Sequence, residues 1–117
     1  MMKKVVFTLI GLLFINGVAA AERFTNRTIV GAGVYYSGSK SILFIDINGD
    51  KSAMTGCATT KRFAIDSTTP NFKEMVTVAM TAYATGENSV DIIVKKSCTH
   101  WSNSQDLVGI KIGKMPF

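Results

Sequence analysis

The stretch Asn71–Val94, NFKEMVTVAMTAYATGENSVDIIV, changes its hydrophobic period part-way along, and that change decides the fold class. From Phe72 the apolar residues fall at Phe72, Met75, Val76, Ala79, Met80 and Tyr83. Spacings of three and four put them along one side of a helix. Phe72, Val76, Ala79 and Tyr83 are expected to face the interior. Two starts fit the residues ahead of it. Asn71 with Glu74 has the pattern of a capping box; Thr69 as the cap, with Pro70 in the first turn, is the other. Thr85-Gly86 should end the helix, because glycine accepts the left-handed conformation found just past a helix end. From Val90 the period drops to two. Val90, Ile92 and Val94 alternate as a strand.

Strand patterns lie on both sides of this helix. Arg27–Tyr36, RTIVGAGVYY, reads as a first strand, with Val30, Ala32, Val34 and Tyr36 on one face and Ile29, Gly31, Gly33 and Tyr35 on the other. Gly31 and Gly33 are expected to be bend points of a strongly coiled strand. Ser41–Ile47, SILFIDI, is a second strand, and Asn48-Gly49 behind it is a strong hairpin signal. A third strand is expected from about Ser52 through Cys57, with a continuation over Arg62–Ile65. Val108, Ile110 and Ile112 mark the fifth. The order is β-β-β-α-β-β, mainly β with one helix. It predicts a five-stranded OB-like barrel whose helix closes one end. An α+β sandwich built of the same elements is the alternative.

The first 21 residues read as a secretory signal peptide. Lys3 and Lys4 precede an apolar stretch over Val5–Val18, and Ala19, Ala20 and Ala21 supply small residues for cleavage after Ala20 or Ala21. That stretch is too short for a comfortable membrane span, and none follows. Residues 22–117 then make one small domain, placed outside the cell or in the periplasm. With Lys3 and Lys4 in the leader, 11 basic and 8 acidic residues remain, a net of +3. Their longest basic run is Lys95-Lys96, so the basic stripe of a nucleic-acid binder is missing. Two cysteines, Cys57 and Cys98, are left in an exported chain. They are expected to form a disulfide.

Catalytic and cofactor motifs are weak. His100 is the single histidine, and the two cysteines are spent on the disulfide, so a zinc site lacks ligands. A Ser-His-Asp set has no G-x-S-x-G elbow to mark its serine. Asp46-Ile47-Asn48-Gly49-Asp50 begins like a calcium loop. However, Lys51 stands where that loop needs glycine and Cys57 where it needs glutamate. Gly31-Ala32-Gly33 runs into a strand rather than a phosphate-binding helix. Asn26-Arg27-Thr28 has the pattern of a glycosylation sequon. The carboxylates are scattered, with no pair placed for acid–base work. A non-enzyme with no cofactor is expected.

The stretch Ser97–Leu107, SCTHWSNSQDL, suits recognition instead. It holds the only tryptophan, Trp101, beside Ser102, Asn103 and Gln105. Aromatic faces next to hydroxyl and amide groups match a sugar, which has an apolar C–H face and a rim of hydroxyls. Trp101, Ser102, Asn103, Gln105 and Tyr35 are the candidate ligand contacts. Trp101 as a lid over the disulfide is the plainer alternative.

Three features together resemble the small secreted OB-fold B subunits of AB5 toxins, of the subtilase-cytotoxin and pertussis-like kind. They are the leader, an alanine-rich helix end running through Thr85-Gly86 into Val90, Ile92 and Val94, and the final strand LVGIKIG. Cys57 resembles a cysteine near that family's third strand. The resemblance implies glycan binding by a ring of five identical subunits that carries a catalytic partner. The chain departs from the toxins between its first two strands, where Ser37-Gly38-Ser39-Lys40 is short. The toxins' glycan contacts come from that region and have no residue-by-residue counterpart here. A free-standing secreted or periplasmic protein that binds another protein, structural or inhibitory and without a sugar ligand, is the rival expectation. A small hydrolase is a distant third.

Overall fold

The structure, a computed structural model, describes residues 22–116; the leader expected over residues 1–21 lies outside the described residues. Its elements are β1 (Arg23–Arg27), β2 (Ile29–Ser37), β3 (Lys40–Ile47), β4 (Phe63–Asp66), α1 (Phe72–Thr85), β5 (Val90–Val94) and β6 (Gln105–Ile112). The strands form one mixed sheet in the order β1-β5-β6-β4-β3-β2. Strands β4 and β6 run parallel, and the other neighbours are antiparallel.

The mainly-β class with one helix holds. The five-stranded closed barrel does not: there are six strands, and no ladder joins the edge strands β1 and β2. The cause lies at Asn26–Thr28. Asn26 takes a positive φ of 56°, and the β1–β5 register breaks between Phe24 and Arg27. Thr28 then leaves the ladder and pairs with Asn48, whose Oδ1 accepts the Thr28 amide at 2.9 Å while its own amide donates to the Thr28 carbonyl at 3.1 Å. One residue therefore carries the chain from one sheet edge to the other.

Further along, the β2–β3 register shifts between Ile29 and Gly31. The extra residue, Val30, lets both Ile29 and Ala32 reach the core, although simple alternation put them on opposite faces. The bend sits at Val30 rather than at the glycines.

The expected hairpin at Asn48-Gly49 and the strand over Ser52–Cys57 are absent; residues 48–62 form a loop. Arg27 explains this. Its Nη1 donates to the Asn48 carbonyl at 2.7 Å and its Nη2 to the Asp50 carbonyl at 2.8 Å. Gly49 has φ 87°, and a Cβ there would stand 2.5 Å from Arg27 Nη1. The guanidinium thus crosses the turn and ties it to β1. Buried Met54 and Ala58 hold the rest of the loop down, as does the Cys57–Cys98 disulfide, which is present as expected.

Helix α1 begins and ends as its sequence signals require, with two changes. Gly86 is left-handed, its amide bonds Tyr83 O, and the Glu87 amide bonds Ala82 O, the paired bonds of a Schellman end. Asn71 precedes the helix but makes no side-chain cap, so the capping box is not formed. The inward face also turns: Met75, Ala79 and Ala82 are buried, Phe72 and Val76 are half-buried against the core, and Tyr83 is exposed. The small Ala79 and Ala82 are fully buried in the core between α1 and the sheet, where a side chain as large as tyrosine would crowd the packing.

The core lies between α1 and one face of the sheet. Phe24 and Phe63 meet edge-on in it, 5.4 Å between centroids. A second, smaller cluster sits on the other face of β3 and β4, made of Ile42, Phe44 and Ala64 with Trp101 packed against it.

Candidate functional site

That second cluster starts from the alternation of β3. Leu43, Ile45 and Ile47 point into the main core, so Ile42 and Phe44 point out the other side. They are nonetheless buried, because the chain between β5 and β6 folds over them.

Asp106 holds that chain in place. It is buried, and its carboxylate accepts from Ser97 Oγ, from Thr99 Oγ1 at 2.7 Å, and from the amides of Thr99 at 2.8 Å and His100 at 3.0 Å. Burial alone would raise the Asp106 pKa. The Ser97 and Thr99 hydroxyls and the two amides outweigh it, and the carboxyl is held below the ordinary range. Next along, His100 Nδ1 lies 3.2 Å from the Asp66 amide and 3.2 Å from Asp66 Oδ2. Asp66 is treated alike. Burial opposes its charge, but the Thr68 hydroxyl, His100 and the Thr68 amide prevail and hold its carboxyl well below the usual carboxylate range.

These anchors set Trp101 edge-on against Phe44, with ring centroids 5.6 Å apart. Tyr35, from β2, meets the same Phe44 edge-on at 5.0 Å. The three rings form a row, with the Arg62 guanidinium 4.2 Å above the Phe44 ring. Arg62 is fixed there by Nε to Thr60 Oγ1 at 3.1 Å and Nη2 to Asn103 Oδ1 at 3.2 Å. Beside the row is a recess of about 200 Å³, with Gly31 and Gly33 on its β2 side and Tyr35, Phe44, Asp46 and Arg62 around it.

The candidate contacts read from the sequence divide on this surface. Tyr35 is exposed and Trp101 half-buried, and the fold brings the two together through Phe44. Ser102 is exposed on the turn beyond Trp101. Asn103 serves the face indirectly, through Arg62 and through its carbonyl, which accepts from Thr60 Oγ1 at 2.7 Å. Gln105 is turned inward, at 0% exposure, where its Oε1 accepts the Thr55 amide. It is the first residue of β6, not part of the surface loop, and its polar character misplaced it. Phe44, Arg62 and Asp46 were missed. Phe44 was legible as the aromatic on the outward phase of SILFIDI; nothing in the sequence marks Arg62.

The depressed carboxylates make acid stability predictable. Asp66 and Asp106 favour the folded state above their unfolded pKa, near 4, and that contribution is lost as pH falls through their lower folded values. The melting temperature is expected to be flat from about pH 5 upward and to fall steeply below about pH 4. Asp106→Asn should lower it at neutral pH and shrink the acid-dependent drop. A wild-type profile unchanged down to pH 2, followed by circular dichroism, would show that these carboxylates are not the acid-sensitive groups.

No protein-family model matches the chain, and a search of curated proteins finds no match.

Proposed function

We propose that this is an exported, non-catalytic binding module whose ligand face is the row Tyr35–Phe44–Trp101, and that the ligand is a glycan. The single observation that carries the reading is that row, with a fixed guanidinium above its middle ring. Rings accept the C–H face of a sugar, while Arg62 and Asp46 at the recess are placed to meet hydroxyls. The disulfide suits an oxidising compartment, secreted or periplasmic, and no helix among the described residues is long and apolar enough to cross a membrane.

Chain order supports an OB-like reading in finer detail. Strands β1 and β2, joined by Thr28 alone, behave as two halves of one bent strand, and β4 pairs in parallel with β6 across the helix connection. OB folds bind oligosaccharides and oligonucleotides on the corresponding strand face and the loop before the last strand. Here those positions hold Phe44 and Trp101. The analogy is one of fold, and agrees with the resemblance to AB5-toxin B subunits.

Self-assembly belongs to the same proposal. Strand β2 is a nine-residue sheet edge with Val30, Val34 and Tyr36 exposed, suited to pairing with a second copy. The rival, a protein partner without sugar, would use this edge in place of the aromatic row.

The test combines a glycan array with light scattering on the mature, oxidised protein. Trp101→Ala and Tyr35→Ala are each expected to weaken glycan binding by about 1 kcal/mol or more, roughly fivefold, as aromatic anchors do, with the fold kept. Unchanged binding in both variants, or no glycan bound by the wild type, would refute the assignment.

A further inference from the structure

We infer that Gly31 is the floor of the ligand recess, a specificity-determining residue kept bare so that one sugar ring of the ligand lies against the β2 backbone. The inference rests on the glycan reading of this face and names the part of the ligand that enters it.

Glycine inside a strand weakens it, and where one stands it commonly marks a bulge, a tight bend, or the close approach of a ligand or another backbone. Gly31 lies inside β2. Its φ is not positive, unlike that of Gly38, Gly49, Gly86 and Gly113, so its backbone suits any residue. The bulge has its own residue in Val30, ahead of Gly31. No neighbour in the chain needs the space either. A Cβ on Gly31 would meet only Asp46 Cβ, at 3.7 Å, an ordinary van der Waals distance. Conformation, bend and packing leave the close approach of something outside the chain.

Strand pairing shows what the missing side chain uncovers. Gly31 stands opposite Asp46, and Gly33 opposite Phe44, on the face turned away from the main core. The two glycines have different tasks. A Cβ on Gly33 would meet Tyr35 Cε1 at 3.3 Å, so a bare Gly33 lets the Tyr35 ring lie over it and reach Phe44. Gly31 has no ring over it and stays open, edged by Tyr35, Phe44, Asp46 and Arg62. Both charged edges are fixed in advance. Lys51 Nζ is 2.5 Å from Asp46 Oδ1, and Arg62 is held by Thr60 and Asn103.

A recess of about 200 Å³ is smaller than the pockets of drug-sized ligands, about 300–1,000 Å³. It has room for one pyranose ring and not for a chain of them. The C–H face of that ring lies on the bare peptide of Gly31 and the edge of Tyr35, and its hydroxyls meet the Asp46 carboxylate and the Arg62 guanidinium. The rest of the glycan leaves across the row toward Trp101. A methyl group on Gly31 would stand between ring and backbone while disturbing nothing in the free protein.

The experiment compares Gly31→Ala and Gly31→Val with the wild type, as mature, oxidised protein, using the glycans retained on the array. Gly56→Ala is the control, a loop glycine outside the recess with nothing within 4 Å of an added Cβ. Melting temperatures of the Gly31 variants are expected to be unchanged or higher, because replacing glycine at a compatible φ stabilises a fold. Glycan binding is expected to weaken about tenfold or more in Gly31→Ala, as one extra methylene does in a fitted site, and to be lost in Gly31→Val. Gly56→Ala should bind as the wild type does. Unchanged binding in both Gly31 variants, with Trp101→Ala still weakened, overturns the inference and leaves the glycan reading standing. A lower melting temperature in Gly31→Ala would mean that the fold itself needs the glycine, and overturns the inference as well. Light scattering tests the other backbone: an assembly that falls apart in Gly31→Ala while glycan binding persists would put a second copy against Gly31 instead of a sugar. A wild type that binds no glycan overturns the glycan reading and this inference with it.

Discussion

Ala79→Asp is expected to leave the chain unable to fold, while Tyr83→Asp, four residues along the same helix, changes stability by less than about 1 kcal/mol. Ala79 is at 0% exposure on the buried face of α1, packed in the main core. An aspartate there would be ionised without a partner or would have to stay protonated, and either state costs several kcal/mol. A domain of this size has about 5–15 kcal/mol in total, and the larger side chain would also force the helix off the sheet. Tyr83 is 50% exposed, so a charge there remains in water. The pair discriminates between two helical faces. The spacing of apolar residues put Tyr83 inside with Ala79; the structure puts it outside. Yield of folded protein and melting temperature are the readouts. Collapse of both variants alike would return the helix to the face its apolar spacing favoured, and a normal melt for Ala79→Asp would overturn both assignments.

What the sequence disclosed, and what it hid, follows one physical division. Signals carried by neighbours in the chain were legible. Gly86 stops the helix through its own backbone freedom, Val90, Ile92 and Val94 alternate by local pleat, and the chain's two cysteines allow a single pairing, which is formed. Features decided by a distant side chain were not legible. Asn48-Gly49 has the local chemistry of a hairpin, but Arg27, 21 residues earlier, takes its carbonyl and turns the segment into a loop. The strand expected at Ser52–Cys57 disappeared for the same reason. The barrel expectation failed at Thr28, where a pairing with Asn48 breaks one strand into two.

The aromatic row Tyr35–Phe44–Trp101 shows the same division within one surface. Tyr35 and Trp101 were named as surface aromatics, and both belong to the row. The residue between them, Phe44, went unnoticed because a phenylalanine in an apolar strand looks like core. It is core-like in burial, at 5% exposure, yet it faces away from the main core. Gln105 failed in the opposite sense. A polar residue near a loop looks exposed, but the chain had already entered β6, and the Thr55 amide satisfies its oxygen inside. Burial on the second face of a sheet depends on what folds over it, and here that covering depends on Asp106, whose four donors lie six to nine residues earlier in the chain.

Removing the disulfide is expected to lower stability by roughly 4 kcal/mol in the chain-entropy model and to leave the aromatic row in place while the chain remains folded. Cys57 and Cys98 are 41 residues apart, so their bond restricts a large part of the unfolded chain. For a domain of about this length that loss corresponds to a melting temperature lower by about 15–30 °C. The face should survive because its position does not depend on Cys98 alone. Asp106 grips Ser97, Thr99 and His100 on both sides of the cysteine, and His100 bears on Asp66. The loop over residues 48–62 is tied near Cys57 more sparsely, by the Thr55 amide to Gln105 Oε1 and by Thr60 to the Asn103 carbonyl, with Met54 and Ala58 in the core, and Cys57 itself is exposed. Cutting the bond should therefore loosen the Cys57 side and spare the Trp101 side. The Cys57→Ser, Cys98→Ser double variant tests both halves of the claim below its melting point. Hydrogen exchange is expected to rise over residues 51–61 and to stay low at Thr99 and His100, whose amides are held by Asp106. Trp101 emission should match the wild type. Equal loosening on both sides would mean that the disulfide, not Asp106, holds the aromatic row together.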